Sequence, residues 1–185
     1  MNEEFSYFLG LFAGDGWFQS RGISIGTSKE NECQKIKDLM KEIFGTDPIV
    51  KQRIYKDGHK MYLISLYSVE LERKIRKLLD VPDRNKSKTF SIPREIQQSS
   101  NLMRYFIAGF FDAECWEYSW YGKKRISMEI ANKNVLELIA NFIRKDGINN
   151  NTSKRSNRNL FRIDITGEKN VTVFEEIYPL RAGKS

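Results

Sequence analysis

The sequence is poor in the residues that bind soft metals. Its 185 residues include one histidine, His59, and two cysteines, Cys33 and Cys115. These are too few for a zinc finger, an iron–sulfur site or a histidine-rich cage, so only hard cations on carboxylates remain as metal chemistry. No apolar run is long enough to span a bilayer, and the acidic start, Met1 to Glu4, lacks the basic region of a secretory signal. We therefore expect no membrane segment or signal peptide, and a location in the cytoplasm or the compartment of the host genome.

Acidic residues are outnumbered in both halves of the chain. Lys and Arg total 31 against 24 Asp and Glu, a net charge of +7. Residues 1–92 carry 16 basic and 13 acidic side chains, and residues 93–185 carry 15 and 11. Because the excess is spread over both halves, the charge favours a polyanionic partner whose footprint extends along the whole protein.

The two halves repeat each other. YFLGLFAGDGW, from Tyr7 to Trp17, corresponds to YFIAGFFDAECW, from Tyr105 to Trp116, and each is an apolar helical pattern that ends at an acid. Downstream, an alternating strand followed by an amphipathic helix occurs at 23–45 and again at 126–147. The strand at 62–68 recurs at 161–167. The chain is therefore a tandem duplication, with a period too long for a solenoid.

Each repeat is predicted to be α-β-β-α-β-β-α. The first spans 1–81, a polar and proline-punctuated linker spans 82–100, and the second repeat spans 101–185. The third helices are expected at Val69–Asp80 and Glu168–Tyr178, each followed closely by a proline. Thr27 and Glu30 match a capping box for the second helix, and Asn132 or Asn134 is expected to cap its counterpart. The fold class is α+β, with two pseudo-symmetric repeats in one monomer.

Small residues four apart mark one face of each first helix: Gly10 with Gly14, and Gly109 with Ala113. If these faces pack on each other, the backbones approach closely and the acids that follow, Asp15 and Glu114, meet at one end of the pair. The helix dipole is unfavourable for carboxylates at that end, so the pair needs a cation. Two carboxylates with backbone carbonyls and water suit Mg²⁺, which activates water and polarises a phosphodiester. A turn or an exposed helix end explains either acid alone; their repetition in matching contexts favours the functional interpretation.

The segments FLGLFAGDG (8–16) and IAGFFDAEC (107–115) resemble the motif of the LAGLIDADG homing endonucleases, in their single-chain, two-motif branch. The resemblance implies a central pair of packed motif helices flanked by antiparallel β-saddles that sit in the DNA major groove. It also implies that Asp15 and Glu114 are the catalytic, metal-binding acids, with the Gly14 and Ala113 carbonyls as further metal ligands. The expected cofactor is Mg²⁺, with Mn²⁺ as a substitute and Ca²⁺ supporting binding without efficient cleavage.

The chain departs from the motif at two positions. Ala13 stands where the motif has an acid, which is retained as Asp112 in the second copy, and Cys115 replaces the final glycine. Glycine there permits a positive φ that cysteine tolerates poorly, so we expect a disturbed turn next to Glu114.

The resemblance also singles out Lys29 and Lys133, which precede the second helix of each repeat, where the family places lysines near the active site. They are expected to orient water or balance transition-state charge. The alternative is an exposed lysine beside a helix cap, and for Lys29 the two interpretations are about equally good.

Strand alternation selects the side chains expected to face DNA, because Arg, Lys, Gln and Ser pair with base edges and phosphates. Ordinary solvated sheet faces explain the alternation equally well. The candidates from strand alternation are Gln19, Arg21, Lys51, Arg53, Tyr55, Arg125, Ser127 and Arg162. The hairpin tips add Lys123, Lys124, Lys154, Arg155 and Arg158, which are expected to contact phosphates.

The sequence therefore predicts a monomeric endonuclease that makes a double-strand break in a long asymmetric DNA site, intron-encoded or free-standing since no splicing residues are visible. The alternative is an RNA maturase or a non-cleaving DNA-binding protein with the same fold. A metabolic enzyme ranks far behind, because the chain lacks a glycine-rich phosphate loop and the partners of a catalytic triad.

Overall fold

The computed structural model describes residues 1–82, 86–156 and 158–178. Along the first repeat the elements are α1 (Glu3–Asp15), β1 (Gly16–Gln19), β2 (Gly22–Thr27), α2 (Glu30–Phe44), β3 (Ile49–Ile54), β4 (Lys60–Leu66) and α3 (Val69–Leu78). Two short helices follow, α4 (Lys86–Thr89) and α5 (Arg94–Gln97). The second repeat comprises α6 (Ser100–Glu114), β5 (Cys115–Trp120), β6 (Lys123–Ile130), α7 (Lys133–Lys145), β7 (Asn150–Lys154), β8 (Phe161–Thr166) and α8 (Glu168–Ile177).

Two antiparallel four-stranded sheets carry the pseudo-symmetry. Their strand orders are β1-β2-β4-β3 and β5-β6-β8-β7, which are the same order in the two repeats. The registers correspond as well, because Trp17 lies opposite Ser24 in the first sheet and Trp116 lies opposite Ser127 in the second. One face of each sheet carries buried isoleucines, among them Ile25 and Ile163, and closes the core. The predicted α+β class with two α-β-β-α-β-β-α repeats is confirmed.

Polar side chains start most of the long helices. The Asn2 side chain accepts from the Phe5 N–H at 3.0 Å, and the Asn132 side chain accepts from the Val135 N–H at 3.3 Å. The capping box predicted for α2 is wrong. Lys29 is the N-cap and makes no side-chain capping bond, because β2 continues through Thr27, whose hydroxyl donates to the Glu32 carboxylate at 2.6 Å instead.

The described part of the segment interpreted as a linker, residues 86–100, is packed. It contains α4 and α5, and the side chains of Phe90, Ile92 and Ile96 are at most 3% exposed. The Phe90 carbonyl also accepts from the Asn132 side chain at 2.7 Å, which ties the segment to the second repeat. Proline punctuation here marks turns within a folded connection and not a loose tether.

The two motif helices, α1 and α6, pack together as predicted, at a separation that leaves no room for side chains at Gly10 and Gly109. A Cβ on Gly10 would lie 2.0 Å from the Phe106 carbonyl oxygen, and a Cβ on Gly109 would lie 2.0 Å from the Tyr7 carbonyl oxygen. The contacts are reciprocal, as an internal twofold requires. Around this crossing, Phe8, Phe12, Phe106 and other aromatic side chains are fully buried and form the centre of the core.

Hydrogen bonds across the crossing fix the two helices relative to each other. The buried Tyr7 hydroxyl donates to the Asp112 carboxylate at 2.6 Å, and the Ser6 hydroxyl donates to the Leu102 carbonyl at 2.7 Å. Asp112 is the acid that the first repeat replaces with the buried Ala13. The extra acid of the second motif therefore joins the two helices.

A second polar cluster joins three elements of the second repeat. Arg104 on α6 donates two hydrogen bonds to Asp146, which ends α7, at 2.8 and 3.0 Å. The Tyr178 hydroxyl, just after α8, donates to the same carboxylate at 2.9 Å. The Arg104 hydrogen bond, assisted by the one from Tyr178, lowers the pKa of Asp146 although partial burial opposes this shift.

Within the described residues, no helix is both long and apolar enough to cross a membrane.

Replacing Gly10 or Gly109 with alanine is expected to destabilise the fold by about 1 to 3 kcal/mol, because the new methyl group overpacks a backbone contact. Alanine normally stabilises a helix relative to glycine, so a loss of stability would indicate a steric clash at the crossing. Urea unfolding of both variants measures the effect.

The matched control is Glu42 on the exposed surface of α2, replaced with glycine and with alanine. There the alanine variant should be more stable than the glycine variant by about 1 kcal/mol. If Gly10→Ala and Gly109→Ala were also stabilising, the close crossing of α1 and α6 would be contradicted.

Asp146→Asn is expected to lower the free energy of unfolding at pH 7 by about 1 to 3 kcal/mol. Because the folded-state pKa of Asp146 lies below its unfolded value, its contribution is fully present above about pH 4 and disappears as the pH falls through the folded-state pKa. The wild type and the variant should therefore converge at acid pH in denaturant melts. Asp47→Asn, which removes an exposed partner of Lys41, should change the stability by less than about 1 kcal/mol. If the free energies of unfolding of the wild type and Asp146→Asn differed by the same amount at all pH values, the predicted link between Asp146 ionisation and stability would be refuted.

Candidate active site at the paired helix ends

Each motif helix passes directly into a strand. The backbone at Gly16 has φ −83° and ψ 157°, and at Cys115 it has φ −90° and ψ 157°. Both residues donate to the carbonyl four positions earlier, that of Phe12 or Phe111. The disturbed turn expected at Cys115 is wrong, because this position needs no positive φ in either repeat. Gly16 is required for space instead, since a Cβ there would lie 2.2 Å from the Phe12 ring.

The two motif acids converge at this end of the helix pair. Across the interface, a Cβ on Gly14 would lie 2.4 Å from the Ala113 Cβ and 3.0 Å from the Glu114 Cγ. Asp15 is exposed and Glu114 is half-buried. The packing of the helices thus brings together two carboxylates that are 99 positions apart in the chain.

A lysine that sequence reasoning missed lies at the same end of α1 and interacts electrostatically with both acids. The Lys86 ammonium, at the start of α4, donates to the Gly14 carbonyl at 3.1 Å and also to the carbonyls of Phe12 and Gly16. It lies 5.0 Å from the centre of the Phe12 ring. Burial lowers the pKa of Lys86 to about 8, and the negative charges of Glu114 and Asp15 oppose this lowering. Lys86 therefore places a cation on the carbonyl end of α1, within the field of both acids.

The signal for Lys86 is present in the sequence but weak. Pro82-x-Arg84-x-Lys86-Ser87 recurs as Pro179-x-Arg181-x-x-Lys184-Ser185 after the third helix of the second repeat. The second copy lies outside the described residues. Because the first copy falls in a polar segment that contains other basic residues, composition alone does not predict that Lys86, rather than one of these, is packed against α1.

The donor set at this end fits a hard divalent cation only in part. Among the described residues, no three His, Cys, Asp or Glu side chains cluster closely enough to hold a metal on their own. Asp15, Glu114 and neighbouring carbonyls supply only oxygen, which suits Mg²⁺, and Mg²⁺ commonly completes its shell with water and substrate phosphates. The residues therefore fit a cation that is held jointly with a phosphodiester.

The other two candidate lysines are engaged on their own helices. The Lys29 ammonium is 3.1 Å from the Glu32 carboxylate, and the Lys133 ammonium is 3.3 Å from the Glu137 carboxylate. Both lysine side chains are largely exposed. These pairs match the alternative interpretation of exposed lysines beside helix starts.

Most strand candidates share the sheet face that lies opposite the isoleucine core. In the first sheet, the register places Lys51 and Arg53 on the face that carries Ser65. In the second sheet, Arg125 and Ser127 share a face with Arg162. Gln19 lies on the same face of the first sheet as Lys51 and Arg53. Arg155, which is paired with Glu129, lies on the same face of the second sheet as Arg162. Arg21 and Lys123 lie at the first hairpin of each sheet, and Tyr55 and Arg158 follow the edge strands.

Two candidates lie on the opposite face and do not join this set. Lys124 donates to Glu175 of α8 at 2.7 Å and is 3.8 Å from Glu117, so it joins the sheet to a helix. Lys154 lies opposite Phe161, on the face that includes the buried Ile163. Both were selected as basic residues near hairpin tips, expected to contact phosphates, and position near a tip does not reveal which face of the sheet a side chain occupies.

Comparison with known proteins identifies the family. The model of the LAGLIDADG-like domain matches residues 2–79 and 101–179, which are the two repeats. Among curated proteins, an A-type ATP synthase subunit from Pyrococcus horikoshii is 24% identical over 95% of this chain and 18% of its own length. The replication factor C small subunit of Methanocaldococcus jannaschii is 27% identical over 94% of this chain and 9% of its own length. The chain thus spans less than a fifth of these relatives.

Solved structures share the fold at low sequence identity. The homing endonuclease I-DmoI in complex with DNA and Mn superposes with a TM-score of 0.66 at 17% identity, covering 95% of this chain and 96% of its own. The N-terminal LAGLIDADG domain of WhiA gives a TM-score of 0.67 at 15% identity, covering 97% of this chain and 83% of its own. The homing endonuclease I-WcaI bound to its DNA recognition sequence superposes with a TM-score of 0.64 at 13% identity, covering 96% of this chain and 81% of its own. With both repeats matched by the family model, this chain belongs to the LAGLIDADG family.

Proposed function

We propose that this protein is a site-specific DNA endonuclease that makes a double-strand break by metal-dependent hydrolysis at a long, asymmetric target. The observation that carries the proposal is the convergence of Asp15 and Glu114 at the shared end of α1 and α6, where each motif helix enters its sheet. One acid comes from each repeat, which is the arrangement needed to serve two strands related by an approximate twofold axis.

Asp15 and Glu114, with the carbonyls of Gly14 and Ala113, are the groups that would hold Mg²⁺ or Mn²⁺. Such an ion, when bound, activates water and stabilises the charge that develops on a phosphodiester. Ca²⁺ should support DNA binding without efficient cleavage. I-DmoI structures that contain DNA with Mn or Mg support a divalent metal for this fold.

Lys86 supplies the fixed positive charge of the site. Held by carbonyls of the α1 end, its ammonium offsets repulsion between the acids and attracts the phosphate that must approach them. Lys29 and Lys133 are secondary candidates, because each already has a carboxylate partner and would have to leave it to reach bound DNA.

The binding surface is formed by the polar faces of the two sheets. Gln19, Lys51 and Arg53 from the first repeat and Arg125, Ser127 and Arg162 from the second are the proposed contacts with double-stranded DNA. A single chain supplies both halves, so the protein acts as a monomer. The presence of an acid at both motif positions favours cleavage over DNA binding alone.

Asp15→Asn and Glu114→Gln are each expected to reduce the double-strand cleavage rate in Mg²⁺ by at least about 100-fold, because each removes a charged metal ligand. Duplexes are first selected from a random pool by binding in Ca²⁺ and then transferred to Mg²⁺. Binding in Ca²⁺ should change far less than cleavage.

Asp47→Asn removes an exposed carboxylate away from the shared end of α1 and α6, and this variant should cleave like the wild type. Sequence-selective DNA binding by the wild type without any break in Mg²⁺ or Mn²⁺ would reject the nuclease and favour a non-cleaving DNA-binding protein. RNA-selective binding would favour a maturase.

Lys86→Met is expected to slow cleavage by about 100-fold or more while leaving DNA binding in Ca²⁺ within a few-fold, because the positive charge acts at the reacting phosphate. Lys86→Arg should restore part of the rate, which a purely structural role would not predict. Lys88→Met, on the exposed side of the same short helix, is the matched control and should be silent. Equal loss in Lys86→Met and Lys88→Met would show that the charge near the acids is irrelevant.

A further inference from the structure

The polar faces of the two sheets differ at matched positions. The strand registers place Ser24 opposite Ser65 in the first sheet and Ser127 opposite Asp164 in the second. One step along, Leu63 in the first sheet corresponds to Arg162 in the second, since these residues lie opposite Gly26 and Glu129. The second sheet thus carries charged side chains where the first carries small or apolar ones.

In the second sheet, Arg162 is the centre of a hydrogen-bond network. Its Nε donates to Asp164 at 2.7 Å, and its Nη2 donates to the Ser127 hydroxyl at 2.8 Å and to the Tyr118 hydroxyl. The guanidinium carbon also lies 5.5 Å from the Trp116 ring and 5.7 Å from the Tyr118 ring. Carboxylate, hydroxyls and aromatic rings together hold this guanidinium in one orientation.

The network is incomplete as it stands. Three of the five N–H donors of Arg162 are engaged, and the two on Nη1 have no partner among the described residues. Arg125 adds a second guanidinium on the same face, and its buried Nε likewise lacks a hydrogen-bond partner within the described chain. With the Arg155–Glu129 pair included, this face carries three guanidinium groups and two carboxylates, so the cluster is positively charged and short of acceptors.

The corresponding place in the first sheet is uncharged. The Gln19 amide donates to the hydroxyls of Ser24 and, at 3.4 Å, Ser65. The two hydroxyls lie 2.7 Å apart and bond to each other. The basic residues of this sheet, Lys51 and Arg53, lie on the exposed edge strand β3, whose six residues are all exposed. These exposed side chains are less fixed in orientation than Arg162, so we expect them to contact phosphates rather than to select a base.

We propose that the Arg162 network is a preorganised reader of an acceptor-rich base edge, guanine above all, and that the half of the target bound by the second sheet is therefore the more strictly specified half. The inference rests on the proposed DNA-binding function. It adds which half of the target is read more strictly, which residue reads it and which base is preferred. Arginine recognises the O6 and N7 acceptors of guanine in the major groove. Fixing the guanidinium before binding lowers the entropy lost on contact and penalises bases that cannot supply acceptors.

The test measures binding alone, in Ca²⁺, so that it does not depend on cleavage. Duplexes enriched from a random pool by the wild type define the preferred base at each position. The variants are Arg162→Lys, which keeps the charge but loses the planar fork, and Arg162→Leu combined with Asp164→Ser, which copies the first sheet. Thermal melts by circular dichroism verify that each variant is folded.

For both variants, discrimination should fall by about 10-fold to 100-fold at one or two guanine positions and stay unchanged elsewhere. Those positions should lie in the half of the site with the stronger base preferences. The matched control, Lys51→Met in the first sheet, should weaken binding to all sequences alike and reduce the salt dependence, as loss of a phosphate contact does.

Uniform weakening by Arg162→Lys without a change in base preference would overturn the inference, as would equal base preferences in the two half-sites. These results would leave the proposed DNA-binding function intact. The proposed function itself fails if the wild type enriches no sequence from the pool, which is a separate outcome from either of the others.

Discussion

The contact on which the structure depends is the backbone-to-backbone crossing of α1 and α6. At Gly10 and Gly109 each helix lies against a carbonyl oxygen of the other, where any Cβ would sit 2.0 Å away. This closeness is available only to glycine, and it determines the distance between the two repeats. Both sheets are attached to these helices through residues that continue without a turn from helix to strand, so the crossing also determines how far apart the two polar sheet faces are.

The crossing has an electrostatic consequence at the C-terminal ends of α1 and α6. Two carboxylates and two helix C-termini, each with a partial negative charge, meet where the dipoles are least favourable for them. In this protein Lys86 compensates from the connecting segment by donating to three carbonyls of the α1 end. Its lowered pKa is a consequence of this burial. Within the described residues, this arrangement of two carboxylates and one partly buried lysine is suited to bind a divalent ion together with a phosphate.

Much of the fold could be predicted because the duplication shows each pattern twice. The apolar stripe, the small residues four apart and the acid after them recur 99 residues later, which distinguishes them from chance. Local details were less predictable. Thr27 remained in β2 and left the N-cap of α2 to Lys29, since strand pairing competed with helix capping for the same residue. Cys115 adopts the same extended backbone as Gly16, so the concern about a missing glycine applied to a conformation that the chain does not use.

The sequence by itself determined the repeat, the order of elements and the acid that ends each motif helix, because periodicity and spacing are local properties that can be read without coordinates. The tertiary structure alone decided which distant side chains became neighbours. Lys86 reached the α1 end because the connecting segment folds back on the core, and Lys124 turned to Glu175 because α8 covers that face of the sheet. The Arg162 network likewise exists only through strand register, which aligns residues from three strands of one sheet. Such contacts depend on long-range packing, and local patterns in the chain indicate them weakly, as for Lys86, or not at all.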